Sequence, residues 1–315
     1  MRLILTAMTI LGFFATINET VAQSELTDDP IIKAAYARSS TPSGVPYRDK
    51  VFSKSSKQWF DGDLEVANIV FGLSPLKESS YSWRGRREGF MGNYAKAIEI
   101  FTQGMEMFPD SYQLYRYRGY FLVRNYQFNE GIADLRHAEA LIKDANVSLI
   151  QEGIPGKSNY SASTFKRNIY YYLGQSSMAT GDYNTVIDYM DKAVEANELR
   201  DQDDFLVSTS FYKYMALREL GRKDEAQELI KGISRGLNII DNFDYHEAIK
   251  FLQGHYSRAQ FLKRADSLGK YTIAMVDHFN GNNDQAKALW KQVSANNHKG
   301  YWLAEVELMK IEKSS

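Results

Sequence analysis

Residues 168–197 read NIYYYLGQSSMATGDYNTVIDYMDKAVEAN, and this stretch decides the fold. Tyr170, Leu173 and Gly174 open an apolar pattern at helical spacing. Gly181-Asp182-Tyr183 interrupts it, and Val186, Met190 and Ala193 resume it. Such a break between two helical stripes is two short amphipathic helices joined by a tight turn.

The same unit recurs. Tyr115 follows Tyr81, Gly119 follows Gly85 and Pro109 follows Pro75, each by 34 residues. Gly92-Asn93-Tyr94, Gly221 and Gly281-Asn282-Asn283 mark further turns. A shared register of this kind is the signature of a repeat array, in which small residues stand where two helices approach closely.

The unit resembles the tetratricopeptide repeat, about 34 residues of helix–turn–helix that opens Trp-x2-Leu-Gly-x2-Tyr. Tyr170, Leu173 and Gly174 fill that opening, and Ser177 stands in place of its last tyrosine. The resemblance covers residues 59–313, and the arrangement is similar to exported bacterial tetratricopeptide proteins. It implies an all-α, right-handed helical solenoid with helical caps. Repeats are expected near 79–110, 113–142, 168–198, 208–236 and 268–298, with a C-terminal amphipathic cap at 301–313. Residues 59–72 read as the second helix of an incomplete first repeat. Phe243–Leu268 reads as extra helix lacking the glycine turn, and residues 143–164 as an insertion rich in Gly, Pro, Ser and Asn.

Ahead of the array, residues 1–22 have the form of an export signal: Arg2, the run LILTAMTILGFFA, then small side chains at Thr20 and Ala22. That run is short of the roughly 20 residues that span a bilayer. A secreted or periplasmic protein cut between Ala22 and Gln23 is expected, with residues 23–56 as a flexible arm that carries a short helix at Pro30–Arg38; a tail folded back over the array is the alternative.

The chain has no cysteine, which excludes a disulfide framework and a thiol nucleophile. A net charge of −1 gives no pull toward nucleic acid. Gly232-Ile233-Ser234-Arg235-Gly236 copies a nucleophile elbow but follows a helix, where the elbow needs a strand before it. His246-Glu247 starts a zinc motif whose second histidine is replaced by Lys250. No phosphate-binding or dinucleotide loop is present. No metal and no cofactor are expected, and nothing demands catalysis.

The resemblance further implies a concave groove lined by the first helices, with the residue after each opening aromatic, and the one a turn later, pointing inward. Transferred here, that gives Arg86, Arg116, Tyr120, Tyr171, Gln175, Phe211, Met215, Tyr271 and, nearby, His278. One end of such a groove is basic and the other aromatic. It suits an extended peptide, a partner protein or an acidic oligosaccharide. An enzyme acting on an acidic glycan in the same groove is the alternative, and the oligomeric state is left open. Mass spectrometry of the protein recovered outside the cytoplasm is expected to find Gln23, or its cyclised form, as the first residue. An intact Met1 there would refute the cleavage.

Overall fold

A helical hairpin needs a residue that can turn the chain with positive φ, and glycine does so without steric cost. Gly92, Gly181, Gly221 and Gly281 do this at φ 96°, 75°, 74° and 81°. The computed structural model describes residues 28–47, 50, 52–144, 150–151, 163–196, 202–233, 236–296 and 301–314. Its helices form an all-α solenoid of tetratricopeptide type.

Two helices precede the array, α1 (Pro30–Ala37) and α2 (Lys54–Leu73). Next come the hairpins α3 (Glu78–Met91) with α4 (Tyr94–Met107), and α5 (Tyr112–Arg124) with α6 (Phe128–Ile142). A short antiparallel ladder, β1 (Ile150–Gln151) with β2 (Ser163–Thr164), leads into α7 (Phe165–Thr180) and α8 (Tyr183–Glu195). Then follow α9 (Gln202–Glu219), α10 (Lys223–Lys231), α11 (Phe243–Leu252) and α12 (Arg258–Leu262). The last hairpin is α13 (Ser267–Phe279) with α14 (Asn283–Ser294), and α15 (Leu303–Ser314) ends the chain. Within the hairpins each helix packs mainly on its sequence neighbours, as a solenoid requires, while α1 packs on α4 and α11 on α9 and α13.

Close approach fixes the hairpin geometry. A Cβ added to Gly131 would lie 2.8 Å from the Gly119 carbonyl oxygen and 2.7 Å from Val123 Cγ2. Nearby, the Arg118 fork donates to both Asp134 oxygens at 2.6 and 2.8 Å and to Thr102 at 3.0 Å, joining α4, α5 and α6 in the interior. Apolar side chains fill the rest: Ile98, Phe101, Leu114 and Leu135 in the first half, Phe211, Met215, Tyr271 and Trp290 in the second.

Three expectations need correction. The described part of the arm is docked. Asp29 caps α1, Ile32 and Ala35 are buried, and Asn125 and Gln127 donate to the Ala35 and Ile31 carbonyls. The segment 243–268 does contain a glycine turn, with Gly254 at φ 82° between α11 and α12. Between α5 and α6 the turn position is held by Tyr126 at φ 62°, where a bulky residue is strained. Its ring stacks on Tyr47 at 6.5 Å and lies edge-on to Phe128 at 6.0 Å, so packing offsets the strain.

The third concerns α15, whose first half has no solvent-facing side: every residue from Trp302 to Leu308 is buried, and only from Met309 onward does the helix reach the surface. A stretch of helix covered on all sides lies inside the molecule. The export signal, Ser234 and most of the 143–164 insertion lie outside the described residues.

Gly131→Ala is expected to destabilise the fold by about 1–3 kcal/mol, because one atom it meets is backbone and cannot yield. Gly72→Ala, where an added Cβ meets nothing within 4 Å, should instead raise stability by up to about 1 kcal/mol. Urea titration of both variants checks the pair.

Candidate functional site

Consecutive first helices of the array turn one face toward a common concavity, and α15 with its leading residues lies across it. Tyr301 donates to the Tyr212 hydroxyl on α9, and the Trp302 ring lies 5.9 Å from Phe128 at the start of α6. Lys310, further along α15, donates to Tyr183 at the start of α8. The N-terminal loop holds the same helix: the Ser43 N–H and hydroxyl both donate to Glu305, as does Ser294.

Beneath the Tyr301–Trp302 segment a cleft of about 310 Å³ remains. The C-terminal end of α5 contributes Tyr120 and Arg124; α7 contributes Arg167, Asn168, Tyr171, Tyr172 and Gln175. Phe205 and Ser208 come from α9, Asn242 and Tyr245 from the start of α11. Two of the lining residues are arginines and none is a carboxylate. The hydroxyls form a chain in which Gln175 donates to Tyr212 at 2.6 Å and Tyr212 pairs with Tyr245 at 2.7 Å.

Burial sets the state of these phenols. It pushes Tyr120 up to about 12, and it raises Tyr171, Tyr212, Tyr245 and Tyr301 as well, with neighbouring phenols adding to the effect. All are neutral at pH 7 and can donate. A cleft of guanidinium groups, phenol O–H groups and amides recognises a ligand that carries negative charge and many acceptor oxygens.

The structure brings Tyr120, Tyr171 and Gln175 together in the cleft. Arg86 and Arg116 are not open groove residues. Each is 4% exposed and lies in the wall. Both guanidinium groups lie over the Tyr117 ring, at 5.0 and 4.7 Å, and Arg116 also lies over Tyr172 at 4.5 Å. Arg116 Nε has no hydrogen-bond partner among the described residues. Aromatic faces, rather than a ligand, keep these cations buried.

Phe211 and Met215 belong to the core. The cleft face of α9 is Phe205 and Ser208, and Ser208 stands three residues before Phe211, a turn of about 60° around the helix. Because α9 packs against α8, α10, α11 and α13, its large apolar side chains are drawn inward. Tyr271 is likewise buried, under the Tyr301 ring at 4.8 Å. His278 sits at the end of α13, bonded to Asn283 at 2.9 Å and away from the cleft.

Beyond the positions transferred from the repeat, the cleft holds Arg124, Arg167, Asn168, Tyr245, Tyr301 and Trp302. The first three lie one turn beyond the repeat positions used, a signal that helical spacing could have given. The others come from α11 and the α15 segment, which no repeat pattern places. Glu247 is paired with Lys250 and Arg264, which accounts for the broken zinc motif. No cluster of three metal-ligating side chains stands among the described residues.

No protein-family model matches the chain, and no curated protein matches it. Among solved structures it is similar to MamA, at 18% identity over 65% of this chain and 90% of that one, TM-score 0.42. It is also similar to YrrB, described as a TPR protein with an unusual peptide-binding site: 13% identity, 78% and 99% covered, TM-score 0.42. A third is a putative kinesin light chain of Podospora anserina with TPR-like repeats, at 17% identity, 70% and 95% covered, TM-score 0.43.

The raised phenols link stability to alkaline pH. Their folded values lie above the unfolded value of 10.0, so the stabilisation is whole below pH 10 and is lost as pH rises through the folded values. The urea midpoint is therefore expected to hold from pH 8 to about 10 and to fall beyond it. In the Tyr245→Phe variant the fall should be shallower; an equally steep fall would remove Tyr245 from the linkage.

Proposed function

We propose that this is an exported bacterial binding protein whose cleft captures the end residue of an acidic oligosaccharide, without turnover. The observation that carries the reading is the composition of the cleft wall: two arginines, a belt of tyrosines, three amide side chains and no carboxylate. Arginine forks match carboxylates, tyrosine faces pack on sugar rings, and phenol and amide groups bond to ring hydroxyls.

The cleft's size agrees, since about 310 Å³ lies at the small end of ligand pockets and suits one or two sugar residues. An extended peptide along the concavity would have to share it with α15. Hydrolysis of a glycosidic bond ordinarily uses a pair of carboxyl groups flanking it, and this wall supplies none. The neutral phenols act as donors, which favours holding a ligand over attacking it. Export rests on the Arg2-to-Ala22 pattern, and among the described residues no helix is long and apolar enough to cross a membrane.

Calorimetric titration with di- and trigalacturonic acid, with neutral digalactose and with acidic tetrapeptides tests the proposal. Binding of the galacturonides alone, with no cleavage product, is expected. Arg124→Gln should weaken it by roughly 10- to 100-fold, the loss of a charge-assisted hydrogen bond at about 1.5–3 kcal/mol, with the helical circular dichroism retained at the titration temperature. Preference for the peptides, or equal affinity for the neutral sugar, would overturn the reading.

A further inference from the structure

The helix just ahead of the first hairpin has an apolar face that no other described residue covers. Trp59, Val66, Ile69 and Leu73 on α2 are 41–79% exposed, and Leu76 just beyond the helix is 76% exposed. Gly62 completes the row. The steps from Trp59 are 3, 4, 3 and 4 residues, the seven-residue repeat along which one helix packs lengthwise on another. The opposite face is already in use: Ala67 is buried, Phe71 packs edge-on against Tyr81 at 5.0 Å, and Asp63 binds Arg87 at 2.7 Å. So α2 has two apolar faces and only one is covered.

The array shows what belongs on the other. In the first three hairpins the second helix lies between two first helices: α4 between α3 and α5, α6 between α5 and α7, α8 between α7 and α9. At the start of the array α2 holds the same station, yet its extensive packing is against α3 alone. The end of a solenoid normally needs a polar outer face to stay soluble. This end has an unfilled helix station instead.

We infer that α2 docks on the α2 of a second copy of this chain, forming an antiparallel two-helix seam that joins two arrays end to end. The row is self-complementary in that direction. Val66 meets Ile69 of the other copy, and Gly62 leaves room for Leu73, so small stands opposite large. The charges beside the row do not oppose this. Lys57 is paired with Asp61 at 2.7 Å, and Asp63 is taken by Arg87. Balanced flanks of that kind do not favour an anionic lipid surface, which would select a basic border. The exposed side chains offer on the order of 500 Å² per copy, so a pair buries roughly 1,000 Å², the lower limit for a specific interface. A reversible dimer of micromolar strength follows.

Sedimentation velocity on the purified full chain, from about 1 to 200 μM, tests the inference. A monomer–dimer equilibrium in this range is expected. Ile69→Lys and, separately, Leu73→Glu should each raise the dimer dissociation constant at least 30-fold. Both side chains face solvent in one copy, so circular dichroism and melting temperature should not change. Because the chain has no cysteine, introduced thiols report the geometry. The Val66→Cys/Ile69→Cys double variant should cross-link two copies under mild oxidation, while Leu73→Cys alone should not. A monomer at every concentration, a dimer insensitive to both charge variants, or binding of α2 to phosphatidylglycerol vesicles by a monomeric protein would each overturn it.

Discussion

A carboxylate buried without donors is unstable, and Glu305 is 1% exposed. The inner placement of α15 depends on the groups that satisfy it: the Ser43 N–H, the Ser43 hydroxyl and the Ser294 hydroxyl. These donors come from the N-terminal loop and the last hairpin, so one side chain ties the start of the described chain to its C-terminal end. The cleft depends on the same tie, because Tyr301 and Trp302 reach it only while α15 is seated.

Local chemistry made the array legible. Glycines that turn with positive φ, and small residues where helices cross, have to recur at the repeat period, so Gly85, Gly119, Gly92, Gly181, Gly221 and Gly281 can be read from sequence alone. Tyr126 could not be read this way, because its strained turn is supported by Tyr47, a partner far away in the chain. Nor could α15: Glu305 and Glu307 look like solvent-facing residues, yet both are buried, and the donors to Glu305 include Ser43, far away in the chain.

The cleft was legible only where the repeat repeats. Tyr120, Tyr171 and Gln175 followed from positions equivalent by period. On α9 the same transfer failed, since flanking helices on several sides rotated its apolar face inward and sent Phe211 and Met215 to the core. Arg86 and Arg116 were placed on the right helices at the wrong depth, because a guanidinium can be buried against tyrosine rings where sequence rules expect it in water. Periodicity reports which helix face points inward and carries no information about what will later cover it.

The contact between Ser43 and Glu305 joins residues 262 positions apart. A chain made from its N-terminus can build its early hairpins one after another, each from local contacts. The loop around Ser43, however, has no carboxylate to receive it until the final helix emerges. Its seating is thus the slow, long-range step of folding, since closing so large a loop comes at an entropic cost that neighbouring repeats avoid. Synthesis that stops short of Leu303 leaves an open trough in place of a roofed chamber.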